Sequence, residues 1–361
     1  MGNLRDHDEH DRIQAVRTRH PGPSLPKEER KAEDPQTHQE GVRYVHDRSE
    51  HLPHDRSGRC KFNAPSDASG LSRDSSRKLF VFPVADKDRA SKATCVLSRR
   101  ALRFIVLLVG FALVVVASVR QLSRRWLFPV HEVPSAATGA EVVAHTWLAR
   151  DGTVVHAFEL AAPPEARTIV YFHNNRETVE HTLTLASDLR ARGFGVMLVE
   201  YRGYGTSRGG VPTERGLYLD AETALEVLHR RGIPASRIVL WGTSLGTGVA
   251  AEMARRGHGS MLVLVTPYTS IPDLVCDVVP LLPARLLVAD HFDTLSKSED
   301  IHVPTVVIHG DADEIVPFWM GETIARAIRG ARLLRVVGGH HGDLFARDGE
   351  RLLSEVARLG T

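Results

Sequence analysis

Arg237-Ile238-Val239-Leu240-Trp241-Gly242-Thr243-Ser244-Leu245-Gly246-Thr247-Gly248 is the stretch on which the reading of this chain turns. Four apolar residues in a row read as a buried strand, and Val249-Ala250-Ala251-Glu252-Met253-Ala254 reads as the helix that follows. Between them, Gly242, Ser244 and Gly246 form a Gly-x-Ser-x-Gly turn. A strand that passes so abruptly into a helix holds its serine at strained backbone angles, and the two glycines leave room where a Cβ would collide. The serine hydroxyl then projects above the sheet, at the positive end of the new helix. The five-residue pattern alone also fits an ordinary glycine-rich turn. Its strand and helix flanks are what give it meaning.

Outward from this turn the text keeps one rhythm. Residues 141–147 and 153–160, separated by Asp151-Gly152, read as a hairpin with its turn signal. Further strands are expected at 168–173, 196–201, 238–241, 261–266, 305–309 and 333–337. Helices are expected near 178–192, 215–231, 246–256 and 320–328. Such alternation means an α/β fold with a mostly parallel sheet and helices on both faces. Functional groups should gather beyond the carboxyl ends of the strands.

A nucleophilic serine needs a base, and the base needs an orienting carboxylate. After strand 305–309 comes Gly310-Asp311-Ala312-Asp313-Glu314-Ile315-Val316-Pro317, and after strand 333–337 comes Gly338-Gly339-His340-His341-Gly342-Asp343. Both lie beyond strand ends, acid before histidine, as a serine hydrolase of this architecture requires.

These segments, with Tyr171-Phe172-His173-Asn174-Asn175 and Glu200-Tyr201-Arg202-Gly203-Tyr204-Gly205, carry a resemblance. From about residue 140 to 345 the chain resembles the α/β-hydrolase-fold serine hydrolases, most closely their membrane-anchored ABHD-type branch. The resemblance implies Ser244 as nucleophile, Asp313 as the acid of a His-Gly-x-x-Asp-x-x-Val-Pro signature, and His341 as base. His340 is an alternative base, and Asp311 and Glu314 are neighbouring alternatives to the acid. The oxyanion hole would use the backbone N–H of Leu245 and one from the loop at Asn174-Asn175. The family has Gly where this chain has Asn174; Asn is among the few residues that tolerate the unusual backbone angles such a loop needs. Asn174 and Asn175 read equally as plain turn residues. The loop of residues 201–205 reads as structural support or as the floor of the site. Residues 271–288, apolar and broken by prolines, stand where this fold inserts its cap, and either line an acyl pocket facing the membrane or pack as core.

The amino-terminal third differs in kind. Residues 1–98, rich in His, Asp, Arg, Ser and Pro, have almost no hydrophobic periodicity and read as a disordered polar region. Its seven histidines between His7 and His54 fit no coordination spacing. Residues 101–122 then hold one apolar run bracketed by arginines, 104–119, which as helix spans about 24 Å and approaches the roughly 30 Å hydrocarbon core once Arg103 and Arg120 snorkel. A signal-anchor helix is the reading taken, against a cleaved leader or a buried core helix. Lys87, Arg89, Lys92, Arg99, Arg100 and Arg103 on its amino side outnumber Arg120, Arg124 and Arg125, which places the catalytic domain, residues 129–361, on the non-cytoplasmic side.

Net charge narrows the partners. The overall formal charge of +2 hides a body, residues 126–361, with 22 Lys/Arg against 28 Asp/Glu, which argues against nucleic-acid binding. Cys60, Cys95 and Cys276 are too scattered for a disulfide framework or a zinc site. The chemistry expected is cofactor-free and metal-free cleavage of an ester or thioester in a small-molecule or lipid-like acyl substrate. The rival readings are a catalytically silent binding protein and a peptidase of the same fold.

Overall fold

The computed structural model describes residues 98–129, 141–161, 163–177, 179–207 and 209–360. The polar region with its histidines, Cys60 and Cys95 falls outside the described residues, except for Ser98, whose hydroxyl caps the first helix.

The alternation resolves into one eight-stranded sheet. Its strands are β1 (Val142–Leu148), β2 (Val154–Leu160), β3 (Thr168–Phe172), β4 (Gly195–Glu200), β5 (Ile238–Thr243), β6 (Met261–Val265), β7 (Thr305–Gly310) and β8 (Arg332–Val336). They lie in the order β1-β2-β4-β3-β5-β6-β7-β8. The first two form the expected antiparallel hairpin, β2 pairs antiparallel with β4, and the remaining pairings are parallel. Every residue of β3, β4 and β6 is buried, because helices cover both faces and neither side chain parity meets water. Edge strand β1 is instead half-buried or exposed along its whole length.

The helices are α1 (Arg99–Leu127), α2 (Val179–Ala191), α3 (Glu214–Arg230), α4 (Leu245–Arg255), α5 (Ile271–Val278), α6 (Ala284–Leu287), α7 (Thr294–Lys297), α8 (Phe318–Ala327) and α9 (Leu344–Gly360). Strand parity sorts the core into two layers. Val170 and Phe172 of β3 and Leu240 of β5 join α3, α4 and α8. Ile169, Tyr171 and Trp241 face the other way, onto α2 and α9.

Two elements exceed what periodicity suggests. Helix α9 was not among the expected helices: its apolar residues Leu352, Leu353 and Val356 are helically spaced and buried, but a kink at Asp348 (φ −142°) breaks the pattern that precedes them. Helix α1 covers the expected 101–122 and continues five residues further. It is long and apolar enough to cross a membrane, and its side chains from Phe104 to Val115 are largely exposed. Its last residue, Leu127, and the following Phe128 are already in the core of the α/β domain, so that core begins ahead of the boundary drawn at residue 129.

At the turn between β5 and α4, Ser244 adopts φ 51°, ψ −115°. A Cβ on Gly242 would sit 2.3 Å from the Gly246 carbonyl oxygen, and one on Gly246 would sit 2.0 Å from that of Phe172. Both obstacles are backbone and cannot rotate away. Gly246→Ala should therefore lose at least about 1–3 kcal/mol, the usual cost of forcing atoms into a packed core, or fail to fold. Gly349→Ala, whose methyl meets nothing nearer than 3.9 Å, should be tolerated; equal urea midpoints for the two variants would contradict this account.

Candidate active site

The turn lifts Ser244 to the carboxyl end of β5 with the hydroxyl turned toward the loops that follow β7 and β8. His341 Nε2 lies 3.0 Å from Ser244 Oγ. On its other side, His341 Nδ1 lies 2.8 and 3.0 Å from the two carboxylate oxygens of Asp313. The end of β7 can approach the loop after β8 because Gly310 has no side chain: a Cβ there would come within 2.1 Å of the Gly339 carbonyl oxygen. The Ala312 N–H donates to that same oxygen at 3.1 Å.

Asp313 is held from three sides. The backbone N–H groups of Ile315 and Val316 donate to its Oδ1 at 2.9 and 2.8 Å. The wholly buried His309 brings its Nε2 to 3.4 Å from Oδ2, while the same nitrogen lies 3.0 Å from the Val316 carbonyl. Burial alone would raise the Asp313 carboxyl, but the hydrogen bonds to His309, His341 and Val316 hold it well below the usual carboxylate range. The ionised carboxylate, 2.8 Å from His341 Nδ1, is placed to orient the imidazole and to favour its charged form.

The neighbours that sequence left open separate here. His340 points away, exposed, with Nδ1 at 3.1 Å from the carboxylate of solvent-exposed Glu314. Asp311 clamps the loop by accepting from Arg335 Nε at 2.7 Å and from the Gly338 N–H at 2.6 Å. Neither reaches the serine. The structure thus brings His341 and Asp313 to Ser244 and leaves His340, Asp311 and Glu314 outside.

Around Ser244, Leu245 is the first residue of α4, so its N–H belongs to the unpaired first turn of a helix. The Asn174 N–H is turned instead toward the Glu177 carboxylate, 3.3 Å away, which also accepts from Asn174 Nδ2 at 3.1 Å. Of the two expected donors in this loop, Asn174 is committed to Glu177. Asn175 is anchored through its other groups: its Nδ2 donates to the Leu127 carbonyl at 3.1 Å, and Tyr204 Oη donates to its carbonyl at 3.2 Å. The 201–205 loop thus braces the site through Tyr204, while Arg202 pairs with Asp220 and Asp151 to fix the loop to α3 and to the hairpin turn.

A cavity of about 330 Å³ opens over the serine and the histidine. Trp126 and Leu127 of α1, Ile271 and Leu274 of α5, and Ile315 and Val316 make its apolar walls. The cap segment therefore contributes through its first helical turn. Leu281, further along, is 88% exposed and does not line the cavity.

Sequence reading missed Glu177, and missed that α1 reaches the site. Glu177 sits close after Asn174-Asn175, but a surface turn would read the same; only packing shows its carboxylate half-buried, with Tyr171 Oη at 3.1 Å linking it to Thr243 of the serine turn. His309 was visible only as a member of its motif. His173, buried beneath the loop, is pushed down to about 4 by burial, partly offset by its hydrogen bond to the Asn174 carbonyl, and is therefore neutral.

Comparison with known proteins agrees with this architecture. A family model described as serine aminopeptidase, S33, matches residues 163–295, a span that ends before Asp313 and His341. An uncharacterized protein of Mycobacterium tuberculosis is 32% identical over 272 residues, covering 73% of this chain and 95% of the relative. The α/β hydrolase domain-containing protein WAV2 of Arabidopsis thaliana is 30% identical, over 56% of this chain and 74% of its own length. Among solved structures, an esterase of Pyrococcus furiosus superposes with a TM-score of 0.54 over 64% of this chain and 97% of its own, at 16% identity, which speaks to fold alone.

Burial raises the Glu177 carboxyl above its ordinary 4.5, and its bonds to Asn174 and Tyr171 pull it back only in part. A carboxyl raised in the folded state stabilises fully below its unfolded value and loses that contribution as pH rises through its folded value. Glu177→Gln keeps an acceptor oxygen but cannot ionise. Its melting temperature, relative to that of the wild type, should therefore climb as pH goes from 4.5 to about 8. Parallel curves would show that the carboxyl ionises as freely in the fold as out of it.

Proposed function

This chain belongs to the ABHD-type α/β hydrolases, and we propose that it is a membrane-anchored serine hydrolase that cleaves carboxylic esters or thioesters of lipid-like acyl substrates. The observation that carries the reading is the unbroken series Ser244 Oγ, His341 Nε2, His341 Nδ1, Asp313, at hydrogen-bond distance throughout.

The chemistry follows from that series. His341 Nε2 takes the Ser244 proton as Oγ attacks the acyl carbonyl carbon. The carbonyl oxygen becomes an oxyanion, held by the N–H of Leu245 and, since the Asn174 N–H is engaged, by that of Asn175. His341, now charged and steadied by anionic Asp313, gives its proton to the leaving alcohol or thiol. Water then attacks the acyl-serine by the same route in reverse, so that one ester and one water yield one acid and one alcohol. No step calls on a metal or a cofactor.

Three features support a lipid-like substrate and a membrane setting. The cavity walls are mainly apolar. Val278, Val279, Leu281 and Leu286 of the cap segment expose apolar side chains, and the Leu286 carbonyl accepts from Arg120 of α1. The run 104–119 ends eight residues before Leu127, about 12 Å along the helix axis, so an anchored helix would hold the cavity near the polar surface layer of the bilayer. The excess of basic residues before the run favours a non-cytoplasmic body. A peptidase is the second reading, favoured by the description of the matched family model. An aminopeptidase must hold a cationic amine, and among the described residues no carboxylate lines the cavity, whereas Arg176 does.

A fluorophosphonate probe should label the wild-type protein and leave Ser244→Ala unlabelled; a folded wild type that never labels would point to a silent binding protein. His341→Ala should lower kcat/KM by roughly 10⁴–10⁶, whereas His340→Ala should stay within a few-fold of wild type. Equal losses would undo the assignment of the base. Across matched esters, thioesters and amides, turnover of the first two with negligible amide cleavage is expected, and the reverse ranking would favour the peptidase.

A further inference from the structure

Helix α1 changes character along its length. From Arg120 onward it is fastened to the α/β domain. Arg120 Nη1 donates to the Leu286 carbonyl at 2.9 Å. Arg124 Nε donates at 2.7 Å to buried Asp290, whose other oxygen accepts from the Glu214 N–H at 2.9 Å. Leu127 and Phe128 are buried, and the Phe128 ring stands edge-on to Phe292 at 6.3 Å between centroids. Phe292 in turn closes on α4, where a Cβ on Gly248 would come within 2.9 Å of it. One aromatic layer therefore separates the end of α1 from the helix that begins at the nucleophile.

Attachment alone would need no more than this, yet two further contacts reach the reaction centre. Trp126 and Leu127 line the same cavity as Ser244, His341 and Asn175. The Leu127 carbonyl also accepts Asn175 Nδ2 at 3.1 Å, while Tyr204 holds the Asn175 carbonyl at 3.2 Å. With side chain and carbonyl both fastened, the loop has little freedom left to rotate the Asn175 N–H. Ile271 and Leu274 of α5 form apolar wall as well. Trp126, at 64% exposure, is the bulky wall residue whose loss opens space without unpacking the core.

We infer that the last turn of α1 is part of the substrate site: Trp126 and Leu127 form the wall that limits the acyl chain, and the Leu127 carbonyl positions Asn175 for the oxyanion. This rests on the hydrolase reading above and adds to it that the apolar helix and the catalytic cavity are one continuous structural element. Trp126 is a specificity-determining residue and the Leu127–Asn175 contact a positioning one.

The test uses the full-length chain in detergent with p-nitrophenyl esters of increasing acyl length. Trp126→Ala should move the preferred chain longer by two or more carbons, each added methylene that finds cover raising kcat/KM by up to about fourfold. Trp126→Phe should return the profile toward wild type. Phe111→Ala, on the exposed part of the same helix, should leave it unchanged. A Trp126→Ala protein that labels with fluorophosphonate but keeps the wild-type profile overturns the wall; a wild type that neither labels nor hydrolyses overturns the hydrolase reading instead. For the positioning contact, Asn175→Ala should lower kcat by about 10–100-fold with KM within threefold, as expected of a weakened oxyanion donor. A raised KM with intact kcat, or a loss matched by a collapse in melting temperature, overturns it.

Discussion

An added Cβ on Gly246 would come within 2.0 Å of the Phe172 carbonyl oxygen, and one on Gly242 within 2.3 Å of the carbonyl of Gly246. Strand β3, the end of β5 and the start of α4 are thus packed backbone against backbone, with no side chain between them. Ser244 is left at a positive φ of 51°, a conformation that a non-glycine residue keeps only where its surroundings over-determine it. Here they do. The strained residue is flanked by buried strands and a buried helix, and it lines the cavity together with His341.

The second and third members of the series depend on the same device used again. Gly310 lets the end of β7 approach the Gly339 backbone after β8, and beside this contact Asp313 lies against His341. The doubling of candidates in both loops then acquires a physical sense. His340 and Glu314 face solvent as a surface pair, Asp311 ties its loop to Arg335 and Gly338, and His341 with Asp313 turn inward. The His340 ring is engaged with Glu314 while the His341 ring lies between Asp313 and Ser244, so one of the two adjacent histidines reaches the serine.

Beneath and beside this series lies a layer of support that no motif announces. Glu177 engages the Asn174 N–H, Tyr204 and the Leu127 carbonyl fasten Asn175, and His309 backs Asp313. Each acts on a loop through one or two hydrogen bonds, and such outer partners decide whether a site is held closely enough for catalysis. The fixed end of α1 belongs to this layer, since its Arg124 is paired with buried Asp290 and its Phe128 is packed on Phe292.

The sequence by itself determined the architecture, because strand and helix periodicities are local and each appears in the order of the chain. The hairpin, all eight strands and the Gly-x-Ser-x-Gly turn were legible within a residue or two; the short α5, α6 and α7 were not, nor was α9, whose period the break at Asp348 interrupts. The residues at the site were legible as types in the right order, Ser244 before Asp313 before His341, but with His340, Asp311 and Glu314 unresolved beside them. Tertiary structure alone decided between these neighbours, committed the Asn174 N–H to Glu177, and carried Trp126 and Leu127 to a serine more than a hundred residues away. The reason is physical. Periodicity records which side of its own element a residue faces, whereas burial, hydrogen bonding and cavity walls arise where separate elements meet, and that meeting is written in no one segment.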